Sequence, residues 1–143
     1  GNHETLDLCK TLEARFSFMK DVTYRTVEGA DFLIAGIPGT NEFWPGQNED
    51  EGVVELAISL WGSLDRSKPL LLLSHFPPYG TAVDGTTHPT PDAGGSKVVR
   101  RIVEKLKPTL VLCGHYHQDF GKSDEINGIR IVNPGSHGKV VTL

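Results

Sequence analysis

Cysteine is scarce in this chain, and so is any long apolar run. Only Cys9 and Cys113 occur among 143 residues, too few for a disulfide framework. Both are expected to act as small apolar side chains in a reducing compartment. No stretch approaches the length of a membrane-spanning helix, and the first residues show no signal-peptide pattern; the expected location is the cytoplasm, with no membrane partner. A basic block is also missing. Lys and Arg number 14 against 18 Asp and Glu, for a net charge of −4. That balance excludes general nucleic-acid binding, which needs a basic face. It leaves a phosphate-containing substrate open, because bound metal ions reverse the sign of the local field.

What is present is an alternation of apolar runs with turn-rich stretches. Residues 4–16 carry Leu8, Leu12 and Phe16 at helical spacing. Residues 22–27 alternate apolar and polar as a half-buried strand does, and 31–36 read as a more buried strand, so the two are expected to form an antiparallel hairpin. A loop rich in Pro, Gly, Asn and acid follows over 38–52. Val54, Ala57, Ile58 and Trp61 mark a helix over 53–65, and Leu70, Leu71, Leu72 and Leu73 a buried strand. Residues 74–95 hold four prolines and repeated Gly and Thr; a connection this long inside a domain is usually functional. Ser96 is an expected N-cap for a helix to Lys107 whose buried face is Val99, Ile102, Val103 and Leu106. Pro108 ends it, and 110–113 form the next buried strand. Residues 119–126 read as strand-like, Asn127-Gly128 as a hairpin turn, 129–132 as the returning strand and 140–143 as a last strand. Strand, helix, buried strand and then hairpins indicate an α/β domain with a mixed sheet or two packed sheets.

The chemistry-bearing residues fall at the ends of these elements. Asn2 and His3 stand in the first turn, His75 follows the leucine strand, and His115 and His117 follow Cys113-Gly114. Ligands of helix-covered parallel sheets sit beyond the carboxyl ends of the strands. If the two buried strands are parallel neighbours joined by the 96–107 helix, His75 and His115 open onto one crevice, forty residues apart in sequence. Three or four imidazoles with an amide oxygen can bind a divalent transition metal. Singly, each has an ordinary reading: a hydrogen-bonded strand-end histidine for His75, a helix cap for Asn2, a favourable charge in the first turn for Glu4. Together they do not, since all of them fall at strand ends and turns. His88 and His137 lack such a context and read as loop residues.

Gly1-Asn2-His3-Glu4, Ser74-His75-Phe76-Pro77-Pro78 and Gly114-His115-Tyr116-His117, in this order, resemble the last three signature motifs of the calcineurin-like metallophosphoesterases. Asn133-Pro134-Gly135-Ser136 is similar to the tail of that family, and Pro78-Tyr79-Gly80-Thr81 with Gly95-Ser96 to its small prokaryotic members. The resemblance implies a β-sandwich of mixed sheets flanked by helices, and hydrolysis of phosphomonoesters or phosphodiesters at a centre of two divalent ions (Mn, Fe or Zn). It implies that Asn2, His75 and His115 bind one ion and His117 the other. His3 would be the general acid or transition-state partner near the leaving oxygen, with Glu4 orienting it. Two ions about 4 Å apart clamp and polarise a phosphoryl group, and the partner would be a small phosphate ester.

Two earlier motifs of that family, Asp-x-His and Gly-Asp-x-x-Asp, have no counterpart here. The expectation is therefore that residues 1–143 are the C-terminal part of one metallophosphoesterase domain lacking its first strands. The carboxylate half of the site would then lie in a missing N-terminal segment or on a complementing chain. Two further readings stay open: a non-catalytic scaffold or protein-binding module on the same fold, and a mononuclear zinc protein using Asn2, His75 and His115.

Overall fold

The computed structural model describes residues 3, 5–40, 43, 50–86 and 94–143, apart from the side chain of Leu6. Helix α1 (Leu6–Arg15) leads to strands β1 (Thr26–Glu28) and β2 (Leu33–Ile37), which pair antiparallel with Thr26 opposite Ala35. Helix α2 (Glu51–Trp61) crosses over to β3 (Leu70–Ser74), and α3 (Lys97–Leu106) crosses over to β4 (Leu110–Leu112). The hairpin of β5 (Ser123–Ile126) and β6 (Ile129–Val132) completes a six-stranded sheet of order β1-β2-β3-β4-β6-β5. β2, β3, β4 and β6 run parallel, and the antiparallel β1 and β5 form the two edges. The expected α/β architecture with a mixed sheet is present, as one sheet among the described residues.

Side chains alternate across a strand, so the register defines two faces. One carries Leu33, Ala35, Leu70, Leu72, Val111, Ile129 and Ile131, all buried. Against the core pack Val54, Ala57 and Trp61 of α2 and Val98, Val99, Ile102, Val103 and Leu106 of α3. The helical spacing read from the sequence thus marks the buried face of α3. On the other face Ile34, Leu71, Leu73 and Leu112 are half-buried. Truncating Leu72, wholly buried, to alanine should therefore destabilise the chain by about 2–5 kcal/mol. Leu71→Ala, on the opposite face, should cost well under half of that. Urea unfolding of both variants tests the face assignment, and equal losses would refute it.

Local chemistry sets the element ends. Asp50 caps α2, accepting the Gly52 N–H at 2.9 Å, so this helix starts two residues earlier than its apolar spacing suggests. Ser96 caps α3 by accepting the Val99 N–H at 3.2 Å, as expected, and Lys107 closes it with φ of 51°. Asn127 and Gly128 both have positive φ, the requirement of a tight type I′ hairpin turn.

Three expectations need correction. The strand read over 22–27 is kinked, because Tyr24 adopts φ of 52° while its N–H bonds the Gly36 carbonyl at 3.0 Å. The backbone of Val22 lies so close to Gly36 that a Cβ there would come within 2.6 Å of the Val22 oxygen. Strand β5 begins at Ser123, since residues 117–119 form a single 3₁₀ turn. Residues 140–143 form no strand. They follow β6, which is paired on both sides, and they are held instead by the Arg130 guanidinium donating to the Thr142 carbonyl at 2.6 Å.

Candidate metal centre

The parallel pairing of β3 and β4 sets the geometry of this region. Leu73 lies opposite Leu112, which brings His75 beside Gly114, and the Gly114 N–H donates to the His75 carbonyl at 3.1 Å. The chain then turns sharply. His115 adopts φ of 67°, a left-handed conformation that costs a residue with a Cβ of order 1–3 kcal/mol and persists only where the surroundings enforce it. That turn accompanies a direct meeting of rings: His115 Nδ1 lies 3.2 Å from His75 Nε2, with ring centroids 5.1 Å apart. Phe76 closes against both rings, at 5.0 and 4.8 Å.

Both histidines lie where open space meets the sheet. A cavity of about 320 Å³ at the carboxyl ends of β2, β3 and β4 is lined by Ile37, Pro38, Ser74, His75 and Cys113 among others. A second, of about 270 Å³, is lined by His115, His117, Phe120, Asn133 and Ser136 among others. Cys113 faces both cavities. Burial pushes its thiol up to about 12, with the charge of Asp119 adding to the effect, and its Sγ is 3.6 Å from the Val132 carbonyl. It packs as a small, buried apolar side chain, as its sequence context suggests.

Burial also lowers the pKa of His115, and the nearby charges of His117 and His3 push it in the same direction. The neutral form is the one that ligates metals. Two nitrogens bound to one ion at about 2.0–2.1 Å and a tetrahedral angle stand roughly 3.3 Å apart. The 3.2 Å between His75 and His115 fits that spacing as well as it fits a hydrogen bond. The donor chemistry of the pair therefore suits a divalent transition metal. His117 is exposed, on the 3₁₀ turn, with its ring 4.8 Å from Phe120. His3 is exposed. Asn2, Glu4 and His88 lie outside the described residues. Among the described residues, no group of three or more His, Cys, Asp or Glu is gathered as a metal-holding set.

The structural roles of several polar residues of the site were not legible in the sequence. Asn133, 1% exposed, donates from Nδ2 to the Tyr116 carbonyl at 3.0 Å, pinning the turn between the two histidines, and its Oδ1 accepts the Gly135 N–H. Asp84, fully buried, gathers the N–H groups of Gly80, Thr81 and Thr86 at 2.7, 3.2 and 3.0 Å. Asp119 is buried as well and reaches across to Gly85. The Asp84-Gly85 pair carries a turn signal; nothing local marks Asp119, whose partner is 34 positions away.

Comparison with known proteins bears on this arrangement. The sequence profile of the calcineurin-like phosphoesterases matches residues 1–119. An uncharacterized protein of Methanocaldococcus jannaschii is 29% identical over 139 residues, covering 94% of this chain and 61% of that protein. A crystal structure superposes on 92% of this chain with a TM-score of 0.68 at 20% identity, a likeness of fold, and 52% of that structure is covered. The chain thus spans little more than half the length of the proteins it resembles.

Proposed function

The chain belongs to the calcineurin-like phosphoesterase family, and from that premise we propose that it takes part in hydrolysing phosphomonoesters or phosphodiesters at a centre of two divalent ions. The observation that carries this reading is the 3.2 Å approach of His75 Nε2 and His115 Nδ1. These two nitrogens, with Asn2, would hold one ion, and His117 would contribute to the other. Divalent ions there would polarise the phosphoryl group and acidify a water molecule. The protein's own part is to hold and orient. Gly114 and the left-handed His115 turn one ring onto the other, Phe76 walls them in, and Asn133 keeps the Tyr116 carbonyl in place. His3, exposed to solvent, donates a proton to the departing oxygen, and Glu4 orients it. A cavity of about 320 Å³ beside His75 suits a small phosphate ester.

The test is metal removal and return. The full-length protein, stripped with a chelator, should lose hydrolysis of p-nitrophenyl phosphate or its bis ester. It should regain activity on titration with Mn²⁺ or Zn²⁺, in step with bound metal measured by calorimetry. A protein whose histidine pair is only a hydrogen-bonded strand end would bind neither ion, and its behaviour would not change with the chelator.

A further inference from the structure

The connection after β3 is a knot tied by its own residues. Besides the three N–H groups on Asp84, the Thr81 hydroxyl donates to the Pro78 carbonyl at 2.8 Å. Gly94 donates to the Asp84 carbonyl at 3.0 Å. The loop over 79–86 therefore has a shape set internally, and the remaining question is what places it against the histidines.

Its start is already joined to them. His75 opens the loop, meets His115 through the ring nitrogens, and accepts the Gly114 N–H. Its far end is joined by Asp119. One carboxylate oxygen accepts the Gly85 N–H at 2.9 Å, and the other accepts Lys122 Nζ at 2.6 Å. The Asp119 N–H donates to the Tyr116 carbonyl at 3.1 Å, so this carboxylate is rooted in the turn that bears His115 and His117. Gly85, at φ of +78°, lies flat on the Tyr116 ring, where a Cβ would come within 2.5 Å. Asp119 is 1% exposed, so water does not readily replace its bonds, and their loss is costly. A third attachment, the Ala82 N–H to Asp124 Oδ2 at 2.7 Å, is exposed and weaker for that reason.

We propose that Asp119 is a positioning residue that clamps the 79–86 loop to the His115-Tyr116-His117 turn, so that the loop and the metal-holding histidines behave as one unit. It touches neither imidazole in any contact described above and acts through Gly85 and the Tyr116 carbonyl. The inference rests on the reading of these histidines as metal ligands. Metal joining His75 to His115 tightens one end of a ring of contacts, and Asp119 carries that constraint to the other end. The loop then stands fixed against the turn that bears His115 and His117 rather than as a mobile flap.

Amide hydrogen exchange of the full-length protein with and without Mn²⁺ tests this. Metal should slow exchange in the segment holding Gly85 in the wild type. In Asp119→Ala that slowing should vanish at saturating Mn²⁺, with the metal still bound. Asp119→Asn, which keeps an oxygen for the Gly85 N–H, should retain most of the slowing. Metal binding in the wild type without slowed exchange at Gly85 would overturn the clamp and leave the metal site standing, as would undiminished slowing in Asp119→Ala. Failure of the wild type to bind Mn²⁺ at all would overturn both.

Discussion

Replacing His75 with alanine should abolish metal binding and phosphoesterase activity together while leaving the fold in place. The ring supplies one of the two nitrogens found 3.2 Å apart, and no neighbouring side chain on β3 can substitute for it. Ser74 is buried and donates its hydroxyl to the Phe76 carbonyl at 2.7 Å. Bound ions contribute several kcal/mol of transition-state stabilisation, so at 1.36 kcal/mol per decade kcat/KM should fall by on the order of 10³-fold or more. Stability should change little. His75 is only half-buried, and the strand is anchored by Leu70 and Leu72, which the substitution does not touch. Calorimetric metal titration, a steady-state assay and a thermal melt on one preparation separate these effects. Full activity in the alanine variant would remove the metal assignment, and lost activity with a collapsed melting transition would assign His75 a structural role instead.

Gly95→Ala is expected to have the largest effect on stability among the glycine substitutions near the site. Gly95 has φ of +69°, and a Cβ there would lie 2.8 Å from the Pro77 oxygen and from the carbonyl carbon and oxygen of Pro78. These are backbone atoms, which cannot swing aside as a flexible side chain can. The left-handed conformation alone costs about 1–2 kcal/mol for a residue with a Cβ, and the clash should bring the total to about 2–4 kcal/mol. The damage falls on a specific joint. The Ser96 N–H bonds the Pro77 carbonyl at 2.8 Å and the Tyr79 N–H bonds the Ser96 carbonyl at 3.1 Å, and through this pair the N-terminus of α3 holds the loop that begins at His75. Metal affinity should therefore fall along with the urea midpoint, at unchanged m. Gly121→Ala provides the control: φ is +81° but nothing lies within 4 Å, so only the conformational cost of about 1–2 kcal/mol should appear. Equal losses in the two variants would show that the approach of Gly95 to Pro77 and Pro78 does not matter.

The elements that the sequence made legible share a property: their signal is local and their burial is continuous. Four leucines in a row make β3, and Val99, Ile102, Val103 and Leu106 at helical spacing after a capping serine make α3. Asn127-Gly128 makes the β5–β6 turn. In each case the residues that decide the conformation are within one or two turns of chain of one another. The kink at Tyr24 was not legible, because alternation over 22–27 records which side chains are apolar. It does not record that Gly36, on another strand, admits the Val22 backbone where a Cβ would not fit. The absence of a strand at 140–143 has the same origin: Val140 and Val141 favour extended backbone, but β6, the strand they follow, is already paired on both sides.

The site divides along the same line. The sequence by itself determined the inventory of chemistry, that is, histidines placed just after two buried strands, glycine and proline around them, and motif order characteristic of one family. Those features are local, and each strand ends where its apolar run ends. Only the tertiary structure decided which of these histidines meet. The contact of His75 with His115 requires the parallel register that sets Leu73 opposite Leu112 and a left-handed backbone at His115, and neither is written in spacing. Only the tertiary structure, too, identified Asp84, Asp119 and Asn133 as the residues that hold the surrounding loops. Buried carboxylates and amides find their partners through the path of the chain. The cost of burying them unsatisfied selects that pairing after the sheet and helices have brought distant segments together.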